Sequence, residues 1–138
     1  TAIQFYGLMP DYIQVTDDVL TKTELHEFLS SEDTHVFVCE AESQVVGAVI
    51  VSIRRRKENR WNKPIETAYI EDLIVSAQAR RMGVGKRLMT EAMAWARING
   101  LGSIELHVWQ SNFKAIRFYE SLGFTPIQHR MKCQIPQC

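Results

Sequence analysis

The sequence predicts an α/β (α+β) domain on a mixed, mostly antiparallel sheet flanked by helices. Three observations carry this. His35 to Glu40 and Val45 to Ile53 are β-branched and aromatic runs separated by Glu42-Ser43-Gln44, the pattern of a hairpin. Thr67 to Val75, Gly83 to Asn99 and Ser103 to Trp109 read strand, helix, strand, the unit that joins two parallel strands by a right-handed crossover. A second, shorter helix, Asn112 to Leu122, stops at Gly123.

Ile3 to Ile13 is ambiguous, with a short helix interrupted at Pro10 as one reading. Thr21 and Glu24 have capping-box spacing ahead of Leu25, Phe28 and Leu29, which predicts a helix to about Ser30. Arg54 to Pro64 is polar and basic and reads as a solvated loop, with Trp61 as the functional alternative, a flap on the substrate side. Leu73-Ile74-Val75 is continuously apolar, as in a strand covered on both faces. Val84, Leu88, Ala92, Trp95 and Ala96 recur at helical spacing and form one apolar face, and Asn99-Gly100 closes that helix. From Phe124, through Ile127 to Ile135, one or two closing strands are expected.

The chain has 138 residues, enough for one domain with a sizeable core, and no repeat or linker divides it. Its 16 basic and 16 acidic residues cancel, which argues against binding a polyanion by bulk charge. Only Arg54-Arg55-Arg56-Lys57 hints at a basic face, so no nucleic-acid partner is expected. No apolar run approaches the ~20 residues of a membrane span. Thr1 to Pro10 lacks a basic segment followed by an apolar one, so no secretory signal is expected. Cys39, Cys133 and Cys138 are odd in number and lack metal-ligand spacing. A cytoplasmic setting without a bound metal is the simpler expectation.

Chemistry concentrates at Arg80-Arg81-Met82-Gly83-Val84-Gly85-Lys86, between a buried strand and a long helix. The first turn of a helix presents unpaired N–H groups and a partial positive charge. Glycines remove the Cβ atoms that would hold an anion away, and three cations add charge. A mononucleotide P-loop needs Gly where Arg80 stands and a hydroxyl where Arg87 stands. A dinucleotide loop needs Gly where Leu88 stands.

The pattern that fits is Arg/Gln-x-x-Gly-x-Gly/Ala, with Arg80, Gly83 and Gly85 in place. Downstream come Asn112, Ala115, Phe118-Tyr119 and Gly123-Phe124. In both segments, from about Val45 to Phe124, the chain resembles the GNAT superfamily of N-acetyltransferases. The resemblance implies the GNAT fold as a single domain, with a central parallel strand pair splayed to bind acetyl-CoA and a first strand that is missing here or reduced to Ala2 to Phe5. Acetyl-CoA is then the co-substrate. Leu73, Ile74 and Val75 would hold its pantetheine arm by backbone hydrogen bonds, and an N–H near Val75 would polarise the thioester carbonyl. Arg80, Arg81, Met82, Gly83, Val84, Gly85 and Lys86 would hold the pyrophosphate, with Asn112 and Ala115 along the pantetheine and adenosine. A homodimer is compatible with the family and unproven by the sequence.

An alkyl ammonium of pKa ~10.4 is neutral in only about one molecule in two thousand at pH 7, a deficit of roughly 4–5 kcal/mol. A base is therefore useful. By resemblance Glu71 is the preferred base, with Asp72 the alternative because successive strand residues face opposite ways. His107 is a third, and a surface ion pair is the plain reading for one of the two acids. Tyr119 is the expected general acid, against a role in packing beside Phe118. The acceptor is expected to be a small primary amine: a polyamine, an amino-acid derivative or an aminoglycoside. A lysine or N-terminus of a protein, or a non-catalytic acyl-CoA-binding module, are the alternatives.

Overall fold

A computed structural model describes residues 3–6, 32–61 and 63–137. The chain divides into two compact units, Thr1–His107 and Val108–Cys138. The first holds a five-stranded sheet in the order β1-β2-β3-β4-β5. Its strands are β1 (Ile3–Tyr6), β2 (Thr34–Ala41), β3 (Gln44–Arg56), β4 (Ile65–Val75) and β5 (Ile104–Glu105). β1 to β4 pair antiparallel, and β4 pairs β5 in parallel. The predicted mixed, mostly antiparallel sheet is present, and the ambiguous N-terminal run forms a short strand.

β2 and β3 close through Glu42 and Ser43, both at positive φ (54° and 64°), with Ala41 opposite Gln44. That two-residue turn has the twist a hairpin prefers. Helix α1 (Val84–Ile98) crosses from β4 to β5 and buries Val84, Leu88, Met89, Ala92 and Ala96. Its stripe covers the face of β3 that carries Gly47 and the neighbouring face of β2. There Trp95 stacks on His35 at 6.0 Å between ring centroids. At its C-terminus Gly100 takes φ 73°, and the Leu101 N–H returns to the Ala96 carbonyl at 2.9 Å.

Gly47 seats the helix. A Cβ there would lie 2.8 Å from Val84 Cγ1 and 3.1 Å from Leu88 Cδ1, so only glycine admits so close an approach. The core continues through Val36, Val38, Cys39, Val45, Ala48, Val49, Ile50 and Val51, all at most 2% exposed. Burial lowers the His35 pKa below its usual value and pushes the Cys39 thiol up to about 11. At pH 8 Cys39 is therefore almost entirely protonated, whereas Cys133 is exposed. Iodoacetamide applied to the native protein should alkylate Cys133 and spare Cys39 until denaturant is added. Peptide mass mapping checks this; early labelling of Cys39 would contradict its burial.

Helix α2 (Phe113–Ser121) belongs to the second unit. Asn112 caps it, its Oδ1 accepting from the Ala115 N–H at 3.2 Å, and Gly123 (φ 100°) ends it. The expected helix Thr21–Ser30 lies outside the described residues.

Three expectations are corrected. Arg54 to Arg56 are not loop but the end of β3, because Arg54, Arg55 and Arg56 pair with Thr67, Glu66 and Ile65. The run Ser103 to Trp109 is a strand only at Ile104–Glu105, where Ala68 and Tyr69 provide a partner. No closing strand forms among the described residues after Phe124. The large apolar residues there, Ile127, Met131 and Ile135, recur every fourth position rather than every second, and all are exposed. A half-buried strand needs the period of two.

Candidate active site

The site begins with a bulge. Ile50 pairs Asp72 and Val51 pairs Ile70, so Glu71 is an extra residue in β4. Directly paired residues share a face of the sheet. Ser52 pairs Tyr69, which puts Ser52, Arg54, Tyr69 and Asp72 on the face opposite α1. Glu71 reaches the same face, where it bonds Ser52 and Arg54. Expecting Glu71 and Asp72 to oppose each other assumed a regular strand, and the bulge removes that assumption. The two acids lie on one face.

Glu71 is fully engaged. Its Oε1 accepts from Ser52 Oγ at 2.7 Å and from Arg54 Nη2 at 2.9 Å, and its Oε2 accepts from the same Nη2 at 3.0 Å. The Arg54 and Glu71 side chains are 52% and 28% exposed, so solvent screens the pair and it adds at most ~1 kcal/mol to stability. Its consequence is positional. The Arg54 guanidinium carbon lies 3.7 Å from the centroid of the Tyr69 ring. The Tyr69 hydroxyl in turn hydrogen-bonds Nδ1 of His107, with the two rings 5.5 Å apart between centroids. His107 is thus no isolated strand histidine. Asp72 is exposed, and its Oδ1 accepts the Leu73 N–H at 2.9 Å.

The basic run next to the site is neutralised as well. Arg55 pairs with Asp33 and Glu66, and the Asp33 bond holds the Arg55 pKa above its usual value. Arg54 and Arg55 therefore present no uncompensated basic face.

A gap opens beside this network. The β4–β5 ladder ends at Tyr69 and Glu105. Beyond it, Leu73, Ile74 and Val75 stay paired to β3 on one side, opposite Val49, Ala48 and Gly47. Their other edge has no ladder partner among the described residues. These half-buried residues offer a strand edge to an amide-bearing chain. Two bonds anchor the pair just before it parts, Ala68 N–H to the Ser103 carbonyl at 3.0 Å and Thr67 Oγ1 to Ser103 Oγ at 2.7 Å.

β4 then leads into the glycine loop. The Ser76 N–H donates to the carbonyl of Val46 at 2.8 Å, and Ala77–Ala79 make one 3-10 turn. Arg81 and Gly83 both take the left-handed conformation, φ 69° and 76°. Such a backbone turns successive N–H groups into an anion-sized concavity. The first intrahelical bond joins the Arg87 N–H to the Gly83 carbonyl, which leaves the N–H groups of Val84, Gly85 and Lys86 for an outside partner. Arg80, Arg81 and Lys86 are exposed, Met82 is exposed beside them, and the α1 first turn holds no acid. A Cβ on Gly83 would meet nothing within 4 Å, so that side of the loop is open. Loop and strand edge suit the two ends of one ligand: a pyrophosphate and an amide-containing arm. These are features of coenzyme A.

The sequence pattern of the Acetyltransferase (GNAT) family matches residues 4–124. The chain belongs to that family. An uncharacterized N-acetyltransferase, MJ1207, of Methanocaldococcus jannaschii is 31% identical over 99 residues, 70% of this chain and 41% of that protein. The L-ornithine N5-acetyltransferase NATA1 of Arabidopsis thaliana is 36% identical over 67 residues, 49% of this chain and 29% of that protein. The chain spans less than half the length of these curated relatives. A solved structure of a tetramutant of the BH1408 protein from Bacillus halodurans superposes with a TM-score of 0.77 at 22% identity, covering 84% of this chain and 75% of that one. At that identity the likeness is one of fold.

Within the first unit, the sequence-predicted Glu71, Asp72, Leu73, Ile74 and Val75 run along β4 toward the loop Arg80–Lys86. Asn112, Ala115 and Tyr119 are in the second unit. There the Tyr119 ring packs edge-on against Phe118 and Phe124, with centroids 5.2 and 5.6 Å away. Sequence reasoning missed Ser52 and Tyr69 and read Arg54 as loop. The available signal was polar residues alternating with apolar ones in Ser52-Ile53-Arg54 and Tyr69-Ile70-Glu71. Among the described residues no group of His, Cys, Asp and Glu is placed to hold a metal, and no helix is long and apolar enough to cross a membrane.

Proposed function

We propose that this protein transfers the acetyl group of acetyl-CoA to the primary amine of a small molecule. The observation that carries the reading is the free β4 edge at Leu73–Val75 leading directly into the anion-cradling loop before α1. Backbone groups of Leu73, Ile74 and Val75 hold the pantetheine arm, and an N–H near Val75 faces the thioester oxygen as negative charge develops there. Loop N–H groups from Gly83 to Lys86, with Arg80 and Arg81, bind the pyrophosphate. Asn112 and Ala115 lie along the pantetheine and adenosine, as the family motif implies. Acetyl-CoA supplies the activated acyl group; the chain orients it and manages protons.

The amine attacks the thioester carbon directly and must lose a proton as it does so. Glu71, Asp72 and His107 are the groups on hand near the gap. Tyr119 protonates the departing thiolate; a thiol of pKa ~8.5 needs only partial donation from a phenol of pKa ~10. The acids on the open face of β4 favour a cationic acceptor such as a polyamine, an amino-acid derivative or an aminoglycoside. An acceptor of that class is named for the Arabidopsis relative.

The test is thiol release from acetyl-CoA across a panel of amines, aminoglycosides and lysine peptides. Turnover with a small amine is the expected result. Tight acetyl-CoA binding without turnover on any acceptor would make the protein a binding module, and turnover confined to peptides would make it a protein acetyltransferase. With an active acceptor in hand, Tyr119→Phe should lower kcat at least tenfold and leave acetyl-CoA affinity within about twofold. Unchanged kcat would leave Tyr119 with packing alone.

A further inference from the structure

Resting on the acetyltransferase reading, we propose that the proton leaving the amine is received by a Tyr69–His107 dyad. In this scheme Glu71 is the positioning residue that holds Arg54 over the dyad. Three observations support it. The Tyr69 hydroxyl is bonded to His107 Nδ1. The dyad stands where β5 leaves β4, since Tyr69 and Glu105 are the last pair of the ladder and His107 follows two residues later. Glu71, the acid nearest in kind to a general base, already accepts three hydrogen bonds from Ser52 and Arg54. Both of its oxygens are thereby committed to Ser52 and Arg54.

The step balances without any co-reactant. An N–H bond of the acceptor ammonium breaks as its proton passes to the Tyr69 oxygen. The Tyr69 O–H bond breaks as its own proton passes to the Nδ1 lone pair of neutral His107. The products are a neutral amine, an intact phenol and an imidazolium. Negative charge builds briefly on the Tyr69 oxygen, and the guanidinium 3.7 Å from the ring centroid stabilises it.

The charged groups around the dyad come from three strands. Arg54 on β3 covers Tyr69. Glu71 and Asp72 on β4 share the Tyr69 face. Glu105 on β5 is paired with Tyr69 and sits two residues before His107. Arg54 is neutralised by Glu71, and Glu105, on the Tyr69 face two residues before His107, adds negative charge that favours the imidazolium.

The experiment combines kinetics with a titration that needs no turnover. His107→Gln and Tyr69→Phe should each lower kcat by about a hundredfold, the scale of general base catalysis. The double variant should fall no further than the weaker single. Glu71→Gln, which keeps the shape but weakens the hold on Arg54, should lower kcat less while preserving the acidic limb of the pH–rate profile. His107→Gln should abolish that limb. Acetyl-CoA affinity, measured by calorimetry, should stay constant throughout. By 15N NMR of the imidazole, Tyr69→Phe should move the His107 titration midpoint. An unmoved midpoint, or an acidic limb that survives in His107→Gln and vanishes in Glu71→Gln, overturns the dyad. A midpoint that moves in Tyr69→Phe, with a wild-type protein that acetylates no amine, overturns the acetyltransferase reading, and the dyad's role with it.

Discussion

Gly83→Glu should abolish measurable acetyl-CoA binding, reducing affinity at least a hundredfold, while the protein remains folded. Two effects combine. Gly83 has φ 76°, a conformation that costs an L-residue about 1–2 kcal/mol. The new carboxylate would also stand at the N-terminus of α1, where the anion is to bind, and would take the N–H groups meant for it. The space around Gly83 is open, so the substitution creates no clash in the core. Gly83→Asn separates the two effects, since asparagine tolerates the left-handed region and brings no charge. It should retain most of the binding. Calorimetry with acetyl-CoA, alongside far-ultraviolet circular dichroism, makes the comparison. Retained affinity in Gly83→Glu would mean that the pyrophosphate lies elsewhere.

Gly47→Val gives the largest expected loss of stability. Even a Cβ at this position would lie 2.8 Å from Val84 Cγ1, and that methyl is on a stiff β-branched side chain that cannot swing away. Leu88 Cδ1 at 3.1 Å and the Ile74 carbonyl oxygen at 3.4 Å close the other directions. Relief requires moving the first turn of α1 off the sheet. Overpacking of this kind costs about 1–3 kcal/mol, and the two further methyls of valine place it at the upper end. The melting temperature should fall by roughly 10 °C. Gly47→Ala should show about half the shift. Because Val84 opens the helix whose first turn is proposed to bind the pyrophosphate, acetyl-CoA affinity should fall in both variants, in the same order. A melting temperature within 2 °C of wild type in Gly47→Val would show that the helix is not seated there.

How the loop and the sheet behave differs for a physical reason. The loop is local: Arg80, Gly83 and Gly85 lie within six residues, and the need for a left-handed turn before a helix is written in the glycine itself. Helix α1 is local too, because its buried positions repeat along one short stretch. The short pairing of β5 and the unformed strands after Phe124 depend on whether a distant segment supplies a partner, which a run of residues does not reveal about itself. Cys39, read as a small buried hydrophobe, is fully buried, because a pure apolar run carries its own evidence.

By itself, the sequence determined the family, the glycine loop before the helix, the crossover helix and the mixed sheet, since each rests on residue types at short, fixed spacing. Only the tertiary structure decided what the polar residues of β3 and β4 do. Alternation along a strand predicts faces as long as the ladder is regular, and the bulge at Glu71 interrupts it through pairing with Ile50 and Val51, about twenty residues earlier in the chain. That one extra residue puts Glu71 and Asp72 on the same side. It brings Glu71 to Ser52 and Arg54, and Arg54 covers the Tyr69 whose hydroxyl meets His107. These contacts join residues 15 to 38 positions apart, and geometry of that range belongs to the folded sheet.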